Sequence, residues 1–230
     1  MVSFTQLFPK SKALIAMIHV PALPGTPAYA GSMQAVLRQV RTEARLLAEA
    51  GVDGLLLENM HDTPYLAREV GPEIVSGMTA AALAVKAEAS GLPCGIQILA
   101  GANKAALAVA LAADLQFIRA EGFVFGHLAD EGWMNSDAGH LLRYRRQIGA
   151  QHIAVWTDIK KKHSSHALTA DVSLVDTAHA AEFFRTDGLI LTGKATGQAA
   201  DAAELQAVRR ACPHLPILIG SGVTPEQMST

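Results

Sequence analysis

Short apolar runs and alanine-rich helical stretches take turns along this chain, and no other feature limits its fold as strongly. The runs at residues 13–20, 53–59, 93–99, 115–119, 153–160, 187–192 and 215–220 have strand length and are bounded by Gly, Pro or polar turns. Between them, residues 33–50, 71–90, 104–113, 141–148, 173–185 and 202–211 carry helical spacing. In the first of these, Val36, Leu37, Val40, Ala44, Leu47 and Ala48 recur on one face until Gly51 stops the helix. Seven such strands with short links predict a parallel sheet with right-handed crossovers. Alternation this strict favours a (β/α) barrel over an open sheet. A single domain over 1–230 is expected, stopping before the eighth strand of a full (β/α)8 barrel. The seam left between the last strand and the first would mark a fragment, or be closed by a second copy in a homo-oligomer.

Half of the residues are hydrophobic (50%) and 17% are charged, which suits a packed globular protein. A net charge of -2 gives no general attraction to nucleic acid or anionic membrane, so no nucleic-acid partner is expected. Anion affinity must come from a local cluster such as Lys160, Lys161 and Lys162. Cys94 lies in an apolar strand and Cys212 at a helix end before Pro213, a spacing that makes neither a metal site nor a disulfide framework. The first residues show no secretory leader, and the longest apolar stretch, near 105–113, is far short of the ~20 residues of a membrane span. A cytoplasmic protein without an integral membrane segment is expected.

In a parallel barrel the carboxyl ends of the strands converge on one face. There the strands would deliver His19, then Glu58 and Asn59, Gln97, Arg119 and Glu121, Asp158 and Lys160 with His163 beyond, Thr192 with Gly193 and Lys194, and finally Gly220, Ser221 and Gly222. Strand interiors are Ile, Leu, Val and Ala; a purely structural barrel needs no such polar convergence. The expected catalytic set is Asp158, Lys160, Glu58, His19 and His163. The expected substrate- and phosphate-binding set is Asn59, Gln97, Arg119, Thr192, Gly193, Gly220, Ser221 and Gly222.

The densest stretch is 156–166. Ile153, Val155, Thr157 and Ile159 fall on one strand face, and Ala154, Trp156, Asp158 and Lys160 on the other. Two residues apart, Asp158 and Lys160 are expected to touch, forming an acid–amine couple suited to proton transfer. The plainer reading is a solvated loop with a satisfied ion pair. Lys194 could form a Schiff base if desolvated, or be an ordinary loop lysine. The glycines of Gly220-Ser221-Gly222 let backbone N–H groups approach a phosphate; an ordinary strand-to-helix turn is the alternative. His127, Asp130 and Glu131, or His163 with His166, have the donor types for a divalent metal cofactor but lack HxH or HExxH spacing. The connection 120–139 is expected to be irregular, a lid or binding loop in which Trp133 stacks on a ligand ring or simply anchors the loop. Arg143, Arg145 and Arg146 are expected on a solvated helix face.

Several of these pieces together resemble the BtpA/SgcQ family. They are 17–25 (Met-Ile-His-Val-Pro-Ala-Leu-Pro-Gly), Gly51-Val52-Asp53-Gly54 with Glu58-Asn59, residues 158–163, Thr192-Gly193 with Thr196-Gly197, and Gly220-Ser221-Gly222-Val223-Thr224. The resemblance runs over essentially the whole chain. It implies a TIM barrel of the ribulose-phosphate-binding type, whose members continue into an eighth strand with a second Gly-rich turn. It also implies kinship with a cyanobacterial peripheral membrane factor linked to photosystem I biogenesis, and with a relative encoded among sugar-metabolism genes. Asp158-Ile159-Lys160 is also similar to the Asp-x-Lys element of orotidine-phosphate-decarboxylase-like barrels, with His163 where the next acid would stand.

Two functions are therefore expected in competition. One is an enzyme acting on a phosphorylated sugar or nucleotide-like small molecule by acid/base chemistry, with isomerase, lyase and glycosidic-bond reactions all open. The other is a non-catalytic assembly or stability factor for a membrane complex, peripherally associated.

Overall fold

Each expected strand appears where the apolar runs lie in the computed structural model, which describes residues 3–10, 12–193 and 198–224. Contacts divide the chain into two compact units, Met1–Ile118 with Tyr144–Ala154, and Arg119–Arg143 with Val155–Thr230.

In the first unit, a one-turn helix α1 (Phe4–Leu7) precedes β1 (Ile15–His19), α2 (Met33–Glu49), β2 (Gly54–Glu58), α3 (Pro72–Glu88), β3 (Cys94–Gln97) and α4 (Asn103–Ala112). Ser3 caps α1 through a box with Gln6, a local signal that apolar periodicity does not reveal. β1 pairs with β2 and β2 with β3, all parallel, with His19 opposite Glu58 and Glu58 opposite Gln97. Leu55, Leu56 and Leu57 are buried in succession, as a strand covered on both faces requires. Ser32 caps α2 by accepting the Ala35 N–H, and Val36, Val40 and Ala44 turn inward at four-residue intervals. α3 starts with Pro72, whose missing N–H costs nothing there, and ends with Lys86 in its last turn.

β3 also pairs with β4 (Phe117–Ala120), with Gly95 opposite Phe117. The Phe117 ring occupies the space that a side chain at position 95 would need: a Cβ there would sit 2.0 Å from ring atom Cε2. Gly95→Ala is therefore expected to destabilise the protein by about 1–3 kcal/mol through overpacking. Denaturant unfolding checks this, and a smaller residue at 117 should restore part of the loss.

In the second unit, β5 (His127–Ala129), β6 (Gly132–Met134) and β8 (Ser164–Ser165) form a three-stranded antiparallel sheet with β5 central. The connection expected to be irregular is thus a tight hairpin, with Asp130 and Glu131 at its turn and Gly132 at φ 101°. Strands of three residues are too short for alternation to show in the sequence. α5 (Ala138–Gln147) follows, then β7 (Ala154–Asp158), all five of whose residues are buried. A 3-10 turn over Ala167–Thr169, α6 (Leu174–Phe183), β9 (Gly188–Thr192), α7 (Ala202–Ala211) and β10 (Ile217–Gly220) complete the described chain. β7 pairs with β9 and β9 with β10, again parallel. No helix among the described residues is long and apolar enough to cross a membrane.

Candidate functional site

The polar strand ends of the first unit form one cluster. His19 Nε2 lies 3.5 Å from Glu58 Oε2. Asn59 is buried and committed to structure: its Oδ1 accepts the Leu99 N–H at 2.7 Å, and its Nδ2 donates to Asp62 Oδ2 at 2.8 Å. Asp62 Oδ1 accepts the Leu23 N–H at 2.8 Å, holding the 21–27 Pro/Gly segment against the end of β2. Burial pushes the Asp62 carboxyl up, partly opposed by the Asn59 and Leu23 hydrogen bonds. Gln97 is 2% exposed, and its Oε1 is buried without a hydrogen-bond partner.

The second unit carries a denser cluster. Asp158, the last residue of β7, does not form the expected couple with Lys160. Its carboxylate takes a fork from Arg119 of β4, Nε to Oδ2 and Nη2 to Oδ1, both at 2.8 Å. Strand alternation ends at Asp158, and Lys160 adopts a left-handed backbone (φ 46°) that turns its ammonium to the Thr169 carbonyl at 3.1 Å. That break defeats the rule that residues two apart share a face.

Lys161 instead reaches inward, with Nζ 3.2 Å from Glu121 Oε1 and 3.7 Å from Glu131 Oε1. All three side chains are at most 11% exposed. Burial pushes the Glu121 carboxyl up; Lys161 opposes the rise, Asp158 adds to it and Arg119 opposes it. His166 Nε2 donates to the Lys161 carbonyl at 3.0 Å, and its ring centroid is 5.5 Å from that of buried His127. His127, Asp158, Lys160, Lys161 and His166 line one recess together with Phe125. Phe125 (φ 57°), Lys160 (φ 46°) and His163 (φ 55°) all hold left-handed backbones, which side-chain-bearing residues adopt only at a cost.

Beside it lies the glycine turn. Lys162 Nζ donates to Ser221 Oγ at 3.0 Å, and the Lys162 N–H to Thr192 Oγ1 at 3.3 Å. Ser221 (φ 69°) and Gly222 (φ 66°) are both left-handed. A Cβ on Gly222 or on Gly193 would sit 2.2 Å or 2.1 Å from the Gln198 carbonyl oxygen, so neither position admits a side chain without backbone movement. Lys194, Thr196, Gly197 and the residues after Thr224 lie outside the described residues.

The metal-type donors do not gather. Asp130 is exposed at the hairpin turn and Glu131 is taken by Lys161. Among the described residues no three His, Cys, Asp or Glu side chains are placed to hold a metal ion. Arg145, expected on a solvated face, is 7% exposed and donates to the Ile153 carbonyl at 3.3 Å; Arg143 and Arg146 are exposed. Trp133 is 46% exposed and covers Gly126, where a Cβ would meet its ring at 2.6 Å, while its indole N–H bonds Asn135. Glu121 was legible only as a strand-end acid, Glu131 only as a metal-type donor and Lys161 only as one of a lysine run. Nothing local in the sequence signals that the three meet.

Residues 10–230 match the sequence profile of the BtpA family. An uncharacterised mitochondrial protein of Caenorhabditis elegans is 50% identical over 224 residues, covering 95% of this chain and 80% of that protein. The photosystem I biogenesis protein BtpA of Synechocystis is 31% identical over 223 residues, covering 97% and 77%. Among solved structures, a putative lyase/mutase from Burkholderia cenocepacia aligns at TM-score 0.58 and 17% identity over 98% of this chain and 76% of that one. N-acetylneuraminate lyase from Mycoplasma synoviae aligns at TM-score 0.58 and 13% identity, covering 93% of this chain. This chain spans 64% of that lyase. At such identities the likeness shows the fold alone, an α/β fold of the TIM-barrel kind.

Proposed function

The chain belongs to the BtpA family, and from that premise we propose that it is an enzyme acting on a phosphorylated sugar or nucleotide-like small molecule by acid/base chemistry. The observation that carries this reading is the cation at the glycine turn. The Lys162 ammonium is held 3.0 Å from Ser221 Oγ, between the ends of β9 and β10, where Gly193 and Gly222 permit close backbone approach. Lysine is a point charge suited to a phosphate, and left-handed residues in a turn aim N–H groups at an anion. The phosphate would take the Lys162 ammonium and the Ser221 and Thr192 hydroxyls.

Next to that anion position the Glu121–Lys161–Glu131 triad supplies the proton chemistry. A carboxyl raised above its ordinary value by burial holds a proton it can donate, and the lysine beside it stabilises the carboxylate left after transfer. In this reading Asp158 is an electrostatic support: both of its oxygens are occupied by Arg119, so it orders the floor of the site and takes no proton from the substrate.

Isothermal titration with inorganic phosphate and with ribose 5-phosphate tests the anion site. Lys162→Met is expected to weaken both by about 10–100-fold, the worth of one charged hydrogen bond. Its melting temperature should stay within a degree or two of wild type. Unchanged affinity in the variant would refute the assignment.

A binding role remains as a second reading, on the single observation that the Synechocystis relative is named for photosystem I biogenesis. The two part at Glu121, whose replacement should abolish turnover in an enzyme and leave a scaffold's binding intact.

A further inference from the structure

Among the described residues of the first unit, Gln97 is the one whose buried side-chain oxygen the fold leaves without a hydrogen bond. It is 2% exposed, its Oε1 has no hydrogen-bond partner, and it ends β3 at a position where chemistry is placed in this fold. Its neighbour across the sheet is Glu58, whose neighbour in turn is His19. These three sit side by side at the ends of β3, β2 and β1. Asn59, the next polar residue, is consumed by Leu99 and Asp62 and is not available to a ligand.

We propose that Gln97 and Glu58, flanked by His19, form a subsite for the vicinal hydroxyls of a sugar. The row offers acceptors: an amide oxygen lacking a donor, and a carboxylate with two oxygens. A ligand complementary to it must bring hydrogen-bond donors. Hydroxyls fit better than an ammonium group. His19 Nε2 already stands 3.5 Å from the Glu58 carboxylate, and when protonated it would repel a second cation there. Two adjacent hydroxyls can serve a carboxylate and an amide on neighbouring strands at once, because neighbouring strands stand ~4.8 Å apart. A site built to pair hydroxyls rejects an analogue lacking one, since its own acceptors are then left bare.

The inference deepens the reading of a sugar-phosphate substrate and rests on it for chemical class, but its residues all belong to the first unit and its probe carries no phosphate. D-Ribose is titrated into the full chain and followed by ligand-detected NMR and calorimetry. Wild type is expected to bind it, and to bind 2-deoxy-D-ribose at least tenfold more weakly or not at all. Gln97→Met, close in volume, should lose at least tenfold in ribose affinity. It should also melt roughly 3–6 °C higher without ligand, because a buried amide oxygen lacking a donor has been replaced by an apolar chain. Glu58→Gln should lose ribose affinity through the second acceptor, and both variants should bind inorganic phosphate as wild type does.

Absence of ribose binding to wild type overturns the proposal. So does retained ribose affinity in Gln97→Met, a lower melting point for that variant, or ethanolamine binding in place of ribose. A protein that binds ribose but not phosphate leaves this subsite standing and removes only the phosphate reading.

Discussion

Arg119→Met is expected to lower the stability of the protein by about 3–5 kcal/mol, the cost of stranding one member of a buried ion pair. The Asp158 carboxylate is 1% exposed and Arg119 15%, and the fork between them closes both carboxylate oxygens at 2.8 Å. Without the guanidinium, Asp158 must either stay charged in a poorly solvated place or take up a proton. Either outcome raises the free energy of the folded state near neutral pH. For a chain of this length the melting point should fall by about 10 °C. Arg119→Lys should recover only part of the loss, because a lysine cannot satisfy two oxygens in one plane. Arg119→Met combined with Asp158→Leu should be more stable than the single variant, since no charge is then left without its partner. A single variant that melts with wild type, or a double variant that melts lower than the single, would show that the Arg119–Asp158 fork does not hold the fold in this way.

Glu121→Gln carries the largest expected effect on turnover, a fall of about 10²–10⁴-fold once a substrate is in hand. The same substitution has a signature that needs no substrate. Burial raises the Glu121 carboxyl above its ordinary value of 4.5, so between that value and the raised one the folded protein holds a proton that the unfolded chain has released. Stability therefore falls as pH rises through that window, with a slope approaching ~1.4 kcal/mol per pH unit for a single group. Glutamine cannot titrate, so the variant should lose this slope and gain on wild type as pH increases from about 4.5. Urea unfolding of both proteins between pH 4.5 and 8 checks the sign. A difference in stability that does not vary with pH would rule out Glu121 as a neutral acid.

Much of the architecture could be read from the chain alone, because burial on both faces writes itself as continuous apolar runs. Leu55 to Leu57 and the all-buried β7 are examples. Gly51, at φ 80°, stopped the first helix where expected, at Glu49, whereas the helix expected over 141–148 begins three residues earlier at Ala138. The partner of Asp158 was not legible. Arg119 precedes it by 39 residues, and which strand end faces which depends on register that no local pattern encodes. Lys160 misled because a β-period argument assumes extended backbone, and its left-handed φ lies at the one position where that assumption fails. The hairpin over 127–134 was hidden by the brevity of its strands. Arg145 was misjudged because its partner is a backbone carbonyl, which leaves no trace in side-chain chemistry.

The antiparallel sheet has a further effect on how such a protein can change. β8, in the segment after β7, pairs with β5 through Leu128–Ser165 and Ala129–Ser164, so two connections remote in sequence share one set of hydrogen bonds. Transplanting either connection from a relative without the other would leave half a ladder with nothing to bond. A change in length on one side would have to be answered on the other for the ladder to survive, so the two connections behave as one unit in any redesign.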